Sequence, residues 1–253
     1  MKNFCNRLAI VATVLGSLTA CVTESTGGLP PPAPLEERVQ AQLDLARGYL
    51  EQRDFVRAQP PLQKALEIDP RHVEAHVLIA VLFGVQNEKE LAEFHYRTAL
   101  RIDPDNAQAL NNYGSFLYSQ GRFADALQPL SRLVKDTTYR ARSQAFENLG
   151  MAQLRLGQID AAEASFERAL DLNFRQPGAA LELAEIAFAR GDVELAAARL
   201  LEFRSLARQN ARSLCLNMKV AAHLEQQDLV ASSALALKNL YPDVADQCLI
   251  NPK

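Results

Sequence analysis

The sequence predicts an all-α chain: a right-handed superhelix, or solenoid, of six helix pairs over residues 39–243. Three observations predict it. The segment Leu66-Glu67-Ile68-Asp69-Pro70 returns as Leu100-Arg101-Ile102-Asp103-Pro104, 34 residues later, and self-similarity at such a period marks stacked helical repeats. Small residues recur in step with it, Ala46, Ala58 and Ala65 followed by Ala80, Ala92 and Ala99, as close helix–helix contact demands. No sustained alternation of Val, Ile and Thr suggests strands. Hydrophobic residues make up 48% of the 253, aromatics only 7%, and Trp is absent, a composition suited to helices packed through Ala and Leu. The net charge of −3 gives no reason to expect a nucleic-acid partner.

The first element, residues 1–20, has the order of an export signal: Lys2 and Arg7, an apolar run from Leu8 to Leu18, then small residues. The run is too short to span a bilayer, which takes about 20 residues. Leu18-Thr19-Ala20-Cys21 resembles the lipobox of bacterial lipoproteins. That resemblance implies cleavage before Cys21, thioether linkage of its sulfur to diacylglycerol and acylation of its amine, and several acyl chains make a stable anchor. Val22 stands where lipoproteins kept at the inner membrane usually carry Asp, so the resemblance points to the outer membrane, periplasmic face. Cleavage removes two cations and no acid, leaving a net charge of −5. Residues 21–38, rich in Ser, Thr, Gly and Pro up to Pro34, are expected to be the acylated Cys and a flexible tether.

With the helix-stopping Pro at position 32 of each unit, repeat 1 covers 39–72 and repeat 2 covers 73–106. Asp69-Pro70 and Asp103-Pro104 end the second helices, because Pro lacks the N–H and disfavours helix at the preceding residue. Repeat 3 starts near Ala107 with Gly114, Gly121 and Ala126, and repeat 4 near Ser143 with Gly150, Gly157, Ala162 and Ala169. About two residues are inserted around Lys135–Arg140. Repeat 5 covers 177–210, repeat 6 starts near Ala211 in degraded form, and residues 244–253 are a C-terminal tail.

This pattern resembles the tetratricopeptide repeat superfamily. That resemblance implies a first helix in each pair lining a concave, protein-binding face, with groove positions 2, 5, 9 and 12. These positions include Leu43, Arg47 and Leu50 in repeat 1, Val77 and Val81 in repeat 2, and Asn111 and Tyr118 in repeat 3. Leu43, Leu50, Val77 and Val81 would be apolar residues facing water, and such a patch marks a partner site. An amphipathic helix or apolar peptide could fill it, or Leu29–Leu35 could fold back over it. On this expectation Leu43→Glu removes partner capture and leaves the fold intact.

Other chemistry is sparse. His72 and His76 share the four-residue spacing of helical metal ligands, but His72 falls in the turn after Pro70 and no HExxH is present, so no metal site is expected. There is no P-loop, GxSxG or Gly-rich phosphate loop, so neither an enzyme, a cofactor nor a small-molecule substrate is expected. With Cys5 in the signal and Cys21 lipidated, Cys215 and Cys248 remain as a disulfide candidate or as two separate thiols.

Lipobox, tether and six helix pairs together resemble the PilW/PilF family of type IV pilus biogenesis and stability lipoproteins. The stretches that carry this are Leu110-Asn111-Asn112-Tyr113-Gly114-Ser115-Phe116-Leu117-Tyr118, Phe146-Glu147-Asn148-Leu149-Gly150, Gln209-Asn210-Ala211-Arg212-Ser213-Leu214 and Leu240-Tyr241-Pro242. The resemblance implies a pilotin, which binds secretin subunits of the type IV pilus, escorts them to the outer membrane through its N-terminal lipid and promotes their multimerisation. A monomeric array is expected, and a scaffold for cell-wall hydrolases or another periplasmic complex is the alternative adaptor role. Many family members carry a Cys pair where this chain has Tyr118 and Ala152, so their internal disulfide is not expected here.

Overall fold

The computed structural model describes residues 33–250, and the described residues contain thirteen helices and no strand. Six antiparallel pairs follow one another: α1 (Leu35–Glu51) with α2 (Phe55–Ile68), α3 (Val73–Val85) with α4 (Lys89–Ile102), α5 (Ala107–Ser119) with α6 (Phe123–Leu133), α7 (Arg142–Arg155) with α8 (Ile159–Leu172), α9 (Pro177–Ala189) with α10 (Val193–Leu206), and α11 (Ala211–His223) with α12 (Gln227–Leu240). A final helix, α13 (Pro242–Ile250), packs on both members of the sixth pair. Two expected boundaries move. The array begins at Leu35 rather than 39, with Glu36 and Glu37 placed where a helix N-terminus favours acids. The tail expected from 244 is helical through Ile250.

The turn inside every pair is built the same way. Counting from 39, 73, 107, 143, 177 and 211, position 15 has positive φ in all six repeats: Arg53, Asn87, Gly121, Gly157, Gly191 and Glu225. The next residue's N–H then bonds back to the carbonyl five residues earlier, at 2.8–3.0 Å in every case, from Asp54 to Tyr49 through Gln226 to Ala221. This is the left-handed helix ending that satisfies otherwise orphaned carbonyls. Only three of the six residues are Gly, so the sequence shows half of a feature that the backbone repeats throughout.

Packing within a pair is set by positions 8 and 24. A small residue at 8 faces a larger one at 24: Ala46 and Leu62, Ala80 and Tyr96, Gly114 and Leu130, Gly150 and Phe166, Ala184 and Leu200. A β-carbon on Gly114 would lie 2.6 Å from Leu130 Cγ, so Gly there permits the approach. In the sixth pair the sizes are exchanged, Met218 at 8 and Ala234 at 24, both in one cluster with Leu214, Leu237 and Ala245. That exchange keeps the volume and explains why repeat 6 looks degenerate in sequence yet folds as a regular pair.

Successive first helices touch: α1 with α3, α3 with α5, α5 with α7, and α9 with α11. No two successive second helices come comparably close. A stack whose first helices are the closer set bends toward them, so the first helices line its concave face. Between pairs three and four the inserted residues form a loop, tied by Arg142 Nε donating to the Val134 carbonyl at 2.8 Å.

Candidate functional site

The concave face is not the apolar patch that position counting suggests. Leu43 is fully buried, clustered with Ala75, Leu78, Ile79 and Leu82 of α3. Val77 is fully buried in the cluster containing Leu110, Tyr113 and Phe116 of α5. The expectation that these two face water is therefore corrected. Consecutive first helices approach closely enough for the position-5 side chain to become part of the seam between repeats. Leu50 and Val81 remain partly exposed at the edges of those clusters. Val85, one turn beyond Val81, is 56% exposed on the same helix. Position counting omits it because it stands at position 13, though its i,i+4 spacing from Val81 is legible in the sequence.

Arg47 is not free either. It donates to Glu74 Oε1 on the next first helix, through Nη2 at 2.5 Å and Nε at 3.2 Å, and also pairs with Asp44. Position 9 of repeat 1 thus meets position 2 of repeat 2. The same two positions meet again in repeats 5 and 6 with the charges reversed: Glu185 accepts from Arg212 Nη2 at 2.5 Å. Arg212 also binds Glu182 through two bonds of 2.6 and 2.7 Å, and the Glu182 side chain is only 5% exposed. These carboxylates hold the guanidinium firmly protonated, against the opposing effect of burial.

Between those two clasps the corresponding positions carry no charge: Val81 and Gln108, Ser115 and Gln144, Met151 and Gly178. Amides dominate. Gln144 Nε2 donates to Asn148 Oδ1, Asn148 Nδ2 to Asn111 Oδ1, and Asn111 Nδ2 to Asn112 Oδ1, each at 3.3 Å. The Asn148–Asn111 bond joins α7 to α5 directly. Asn111 is where the sequence places a groove residue, while Asn112 and Asn148 are neighbours that counting omits. A hollow of about 330 Å³ beside them is lined by Val81, Gly84, Val85, Ser115, Phe116 and Ser119, among others. Tyr118 is half-buried and lies edge-on to Phe123 with ring centroids 5.1 Å apart. Arg155 of α7 covers the same Phe123 ring at 4.5 Å. Ala152 of the same helix is fully buried. Glu147, half-buried on α7, has its carboxyl pushed up by burial and secondarily by the charge of Glu182.

The His residues have structural partners. His72 Nδ1 accepts from the Ala75 N–H and caps α3. His76 Nε2 bonds the Pro70 carbonyl at 3.0 Å, and His76 Nδ1 meets His95 Nδ1 at 2.9 Å. A carbonyl can only accept, so Nε2 of His76 carries a proton; a neutral His76 then accepts at Nδ1 and His95 Nδ1–H donates. Cys215 of α11 and Cys248 of α13 stand bonded as a disulfide with Cα atoms 5.9 Å apart, within the span a bridge requires. The expected signal segment 1–20, Cys21 and most of the expected tether lie outside the described residues, while Leu35, at the end of the expected fold-back segment, opens α1 and is half exposed.

Six pairs in a 34-residue rhythm with first helices on the concave side define a tetratricopeptide protein, and the tetratricopeptide repeat family matches residues 43–107, 83–144 and 148–211. The chain is 40% identical over 237 residues to the type IV pilus assembly protein PilF of Pseudomonas aeruginosa, covering 93% of this chain and 94% of that one. A solved structure of Pseudomonas aeruginosa PilF matches with a TM-score of 0.83 at 40% identity, over 87% of this chain and 99% of the other. The crystal structure of PilW, a widely conserved type IV pilus biogenesis factor, matches with a TM-score of 0.71 at 27% identity, over 81% and 94%. The chain belongs to the PilF/PilW family of tetratricopeptide proteins.

Proposed function

We propose that this protein is a pilotin: an outer-membrane lipoprotein, not an enzyme, that binds secretin subunits of the type IV pilus and promotes their delivery and multimerisation. The observation that carries the reading is similarity along nearly the whole chain to a type IV pilus assembly protein. The fold adds a concave face suited to holding protein. Cys21 supplies the anchor at the periplasmic face of the outer membrane, and the residues after it supply reach. Tethering raises the local concentration of captured subunits at the membrane, which favours ring formation there. With Leu43 and Val77 inside the seams, recognition rests on what stays accessible: Leu50, Val81 and Val85 at the apolar edge, and the amides around Asn111.

The test is secretin localisation in a strain carrying Cys21→Ser. The expected outcome is a folded protein with secretin monomers left away from the outer membrane. Normal outer-membrane multimers in that strain, or in a deletion strain, would refute the reading.

A further inference from the structure

The second helices form the convex face, and one row of their side chains sets its chemistry. Positions 18, 22, 25 and 29 of each repeat are spaced by three and four residues, so they fall on one stripe of a helix. In all six pairs these residues are exposed, apart from a partly buried Ser131. The stripe is not uniform. On α4 it reads Glu90, Phe94, Arg97 and Arg101, and on α6 it ends in Lys135. On α8 it turns acidic, with Asp160, Glu167 and Asp171. One part of the convex face is therefore basic, although the chain as a whole is negative.

The basic part is also apolar and open. Phe94 is 57% exposed, and Leu91, one turn before it, 45%. Arg97 and Lys135 enter no ion pair among the described residues, and Arg101 donates to the Thr98 hydroxyl at 3.2 Å. A hollow of about 460 Å³ runs along α4 past Glu90, Phe94, Arg97 and Arg101. The Glu93 carboxylate in its wall is held by Arg122 and Tyr113, which leaves Glu90 as the opposing charge. A second hollow, of about 760 Å³, is lined by Gln128, Ser131 and Lys135, with Arg132 paired to Asp105 beside them and Asp136 bonded to Thr138. Cations level with an exposed Phe and Leu are the chemistry of a helix lying on a phospholipid surface, where guanidinium groups meet phosphates and the apolar side chains enter the acyl boundary. An acidic protein would use the cations and leave Phe94 in water. A second copy could offer its acidic α8 stripe, but the fourth member of that stripe is Ala164, which gives Phe94 little to pack on.

We propose that this convex face docks on an anionic phospholipid bilayer. Arg97, Arg101 and Lys135 sit on headgroup phosphates, and Phe94 and Leu91 enter between the lipids. The anchor at Cys21 belongs to the lipoprotein reading; the face does not depend on it. With that anchor, the 14 residues from Cys21 to Leu35 make a leash of at most about 50 Å. From α1 to α4 there are two helix packings, α1 on α3 and α3 on α4, of about 8–10 Å each. The leash therefore reaches far enough to keep a face of weak intrinsic affinity engaged. The acidic stripe of α8 is repelled by the same surface, so the array meets the bilayer with its first half and turns its concave side away.

The experiment uses residues 22–253, without signal or lipid, so that only the face is read. Every core cluster is built from residues 39 onward, and this chain keeps them all. The sequence has no Trp, so Phe94→Trp supplies a lone fluorophore. Its emission should move to the blue, and be quenched by brominated acyl chains, on titration with vesicles of phosphatidylglycerol in phosphatidylcholine. Vesicles of phosphatidylcholine alone should leave it unmoved. Arg97→Gln and Arg101→Gln should each weaken the binding about fivefold, at unchanged circular dichroism, and added salt should weaken it further. Leu201→Trp, at position 25 on α10, should show no shift. No shift for Phe94→Trp on anionic vesicles, equal shifts at both sites, or full binding by both Arg variants overturns the proposal. A shift that grows with protein concentration in the absence of lipid gives the face to a second copy. A shift produced by polyaspartate but not by vesicles gives it to an acidic protein. Either result overturns the bilayer as occupant. Secretin localisation in the Cys21→Ser strain tests the pilotin reading separately, so either can fail while the other stands.

Discussion

A β-carbon placed on Gly150 would lie 2.7 Å from Cε1 of Phe166, a ring with no exposed surface. The two residues are positions 8 and 24 of repeat 4, and their pairing is how one first helix seats on its second. Gly150→Ala is expected to destabilise the protein by about 1–3 kcal/mol, as overpacking does. Gly48→Ala, in a helix with open space around the site, is expected to stabilise by about 0.5–1 kcal/mol. Urea unfolding of the pair checks both signs.

The six left-handed turn residues supply a second prediction. Arg53 and Glu225 occupy backbone conformations that cost an ordinary residue about 1–2 kcal/mol. Glycine relieves that cost and returns part of it as unfolded-chain entropy. Arg53→Gly and Glu225→Gly should each raise stability by about 0.5–1 kcal/mol, and Asn87→Gly by less, because Asn tolerates this region. A fall in melting temperature for both variants contradicts the geometry.

Leu43 tests whether position 5 belongs to the core or to the partner. Leu43→Ala is expected to cost about 2–5 kcal/mol, the range for deleting a buried Leu side chain. Leu43→Glu is expected to unfold the first two pairs rather than disable binding cleanly. Val85→Glu, at an exposed site on the same face, should leave stability within about 0.5 kcal/mol of the parent. Circular dichroism during thermal denaturation separates the three.

The bridge between Cys215 and Cys248 ties α13 to α11. Denatured protein stripped of residues 1–20 and blocked at Cys21 should show no free thiol. The double Ser variant should lose up to about 3.7 kcal/mol, the chain-entropy value for a loop of this size, with a sequence separation of 33. Two titratable thiols count against it.

The His76–His95 contact makes stability depend on pH. Burial, and then the neighbouring His76, pushes His95 down to about 4 from an ordinary value of 6.5, and burial lowers His76 as well. Asp69, His72 and Arg101 complete the charged groups around His76, Asp69 raising it and the other two lowering it. Unfolded His takes up a proton near 6.5 while folded His95 resists until about 4. This contribution to stability is therefore whole above about 6.5 and declines as pH falls toward 4. Melting temperatures at pH 7.5, 5.5 and 4.5 should show the decline, and His95→Gln should flatten part of it. An equal decline in both proteins would assign it elsewhere.

Much of the fold is legible in the sequence because its determinants are local or periodic. Asp69-Pro70 stops α2 for reasons contained in two residues, and the turn at Gly121 needs only its own backbone freedom. The turns at Arg53, Asn87 and Glu225 are not legible, since the tertiary fit of each pair imposes a conformation those residues do not prefer. Repeat 6 looks degraded because Met218 and Ala234 exchange sizes between two helices, and a position-by-position comparison sees two losses where packing sees one volume conserved. In the candidate site, counting alone places Asn111 on the groove, whereas its bond to Asn148 depends on how α5 and α7 meet across an inserted loop.

By itself the sequence determined that this chain is a stack of helix pairs, where the Asp-Pro steps stop α2 and α4, and which family it resembles. Those properties follow from spacing, small residues and helix stops carried within each 34-residue unit. Only the tertiary structure decided which faces of the first helices stay open. Leu43 and Arg47 lie four residues apart on one helix, yet the first is sealed into the seam with α3 and the second is clasped by Glu74 across it. That outcome depends on the distance between neighbouring helices, and the side chains that set it come from the next repeat.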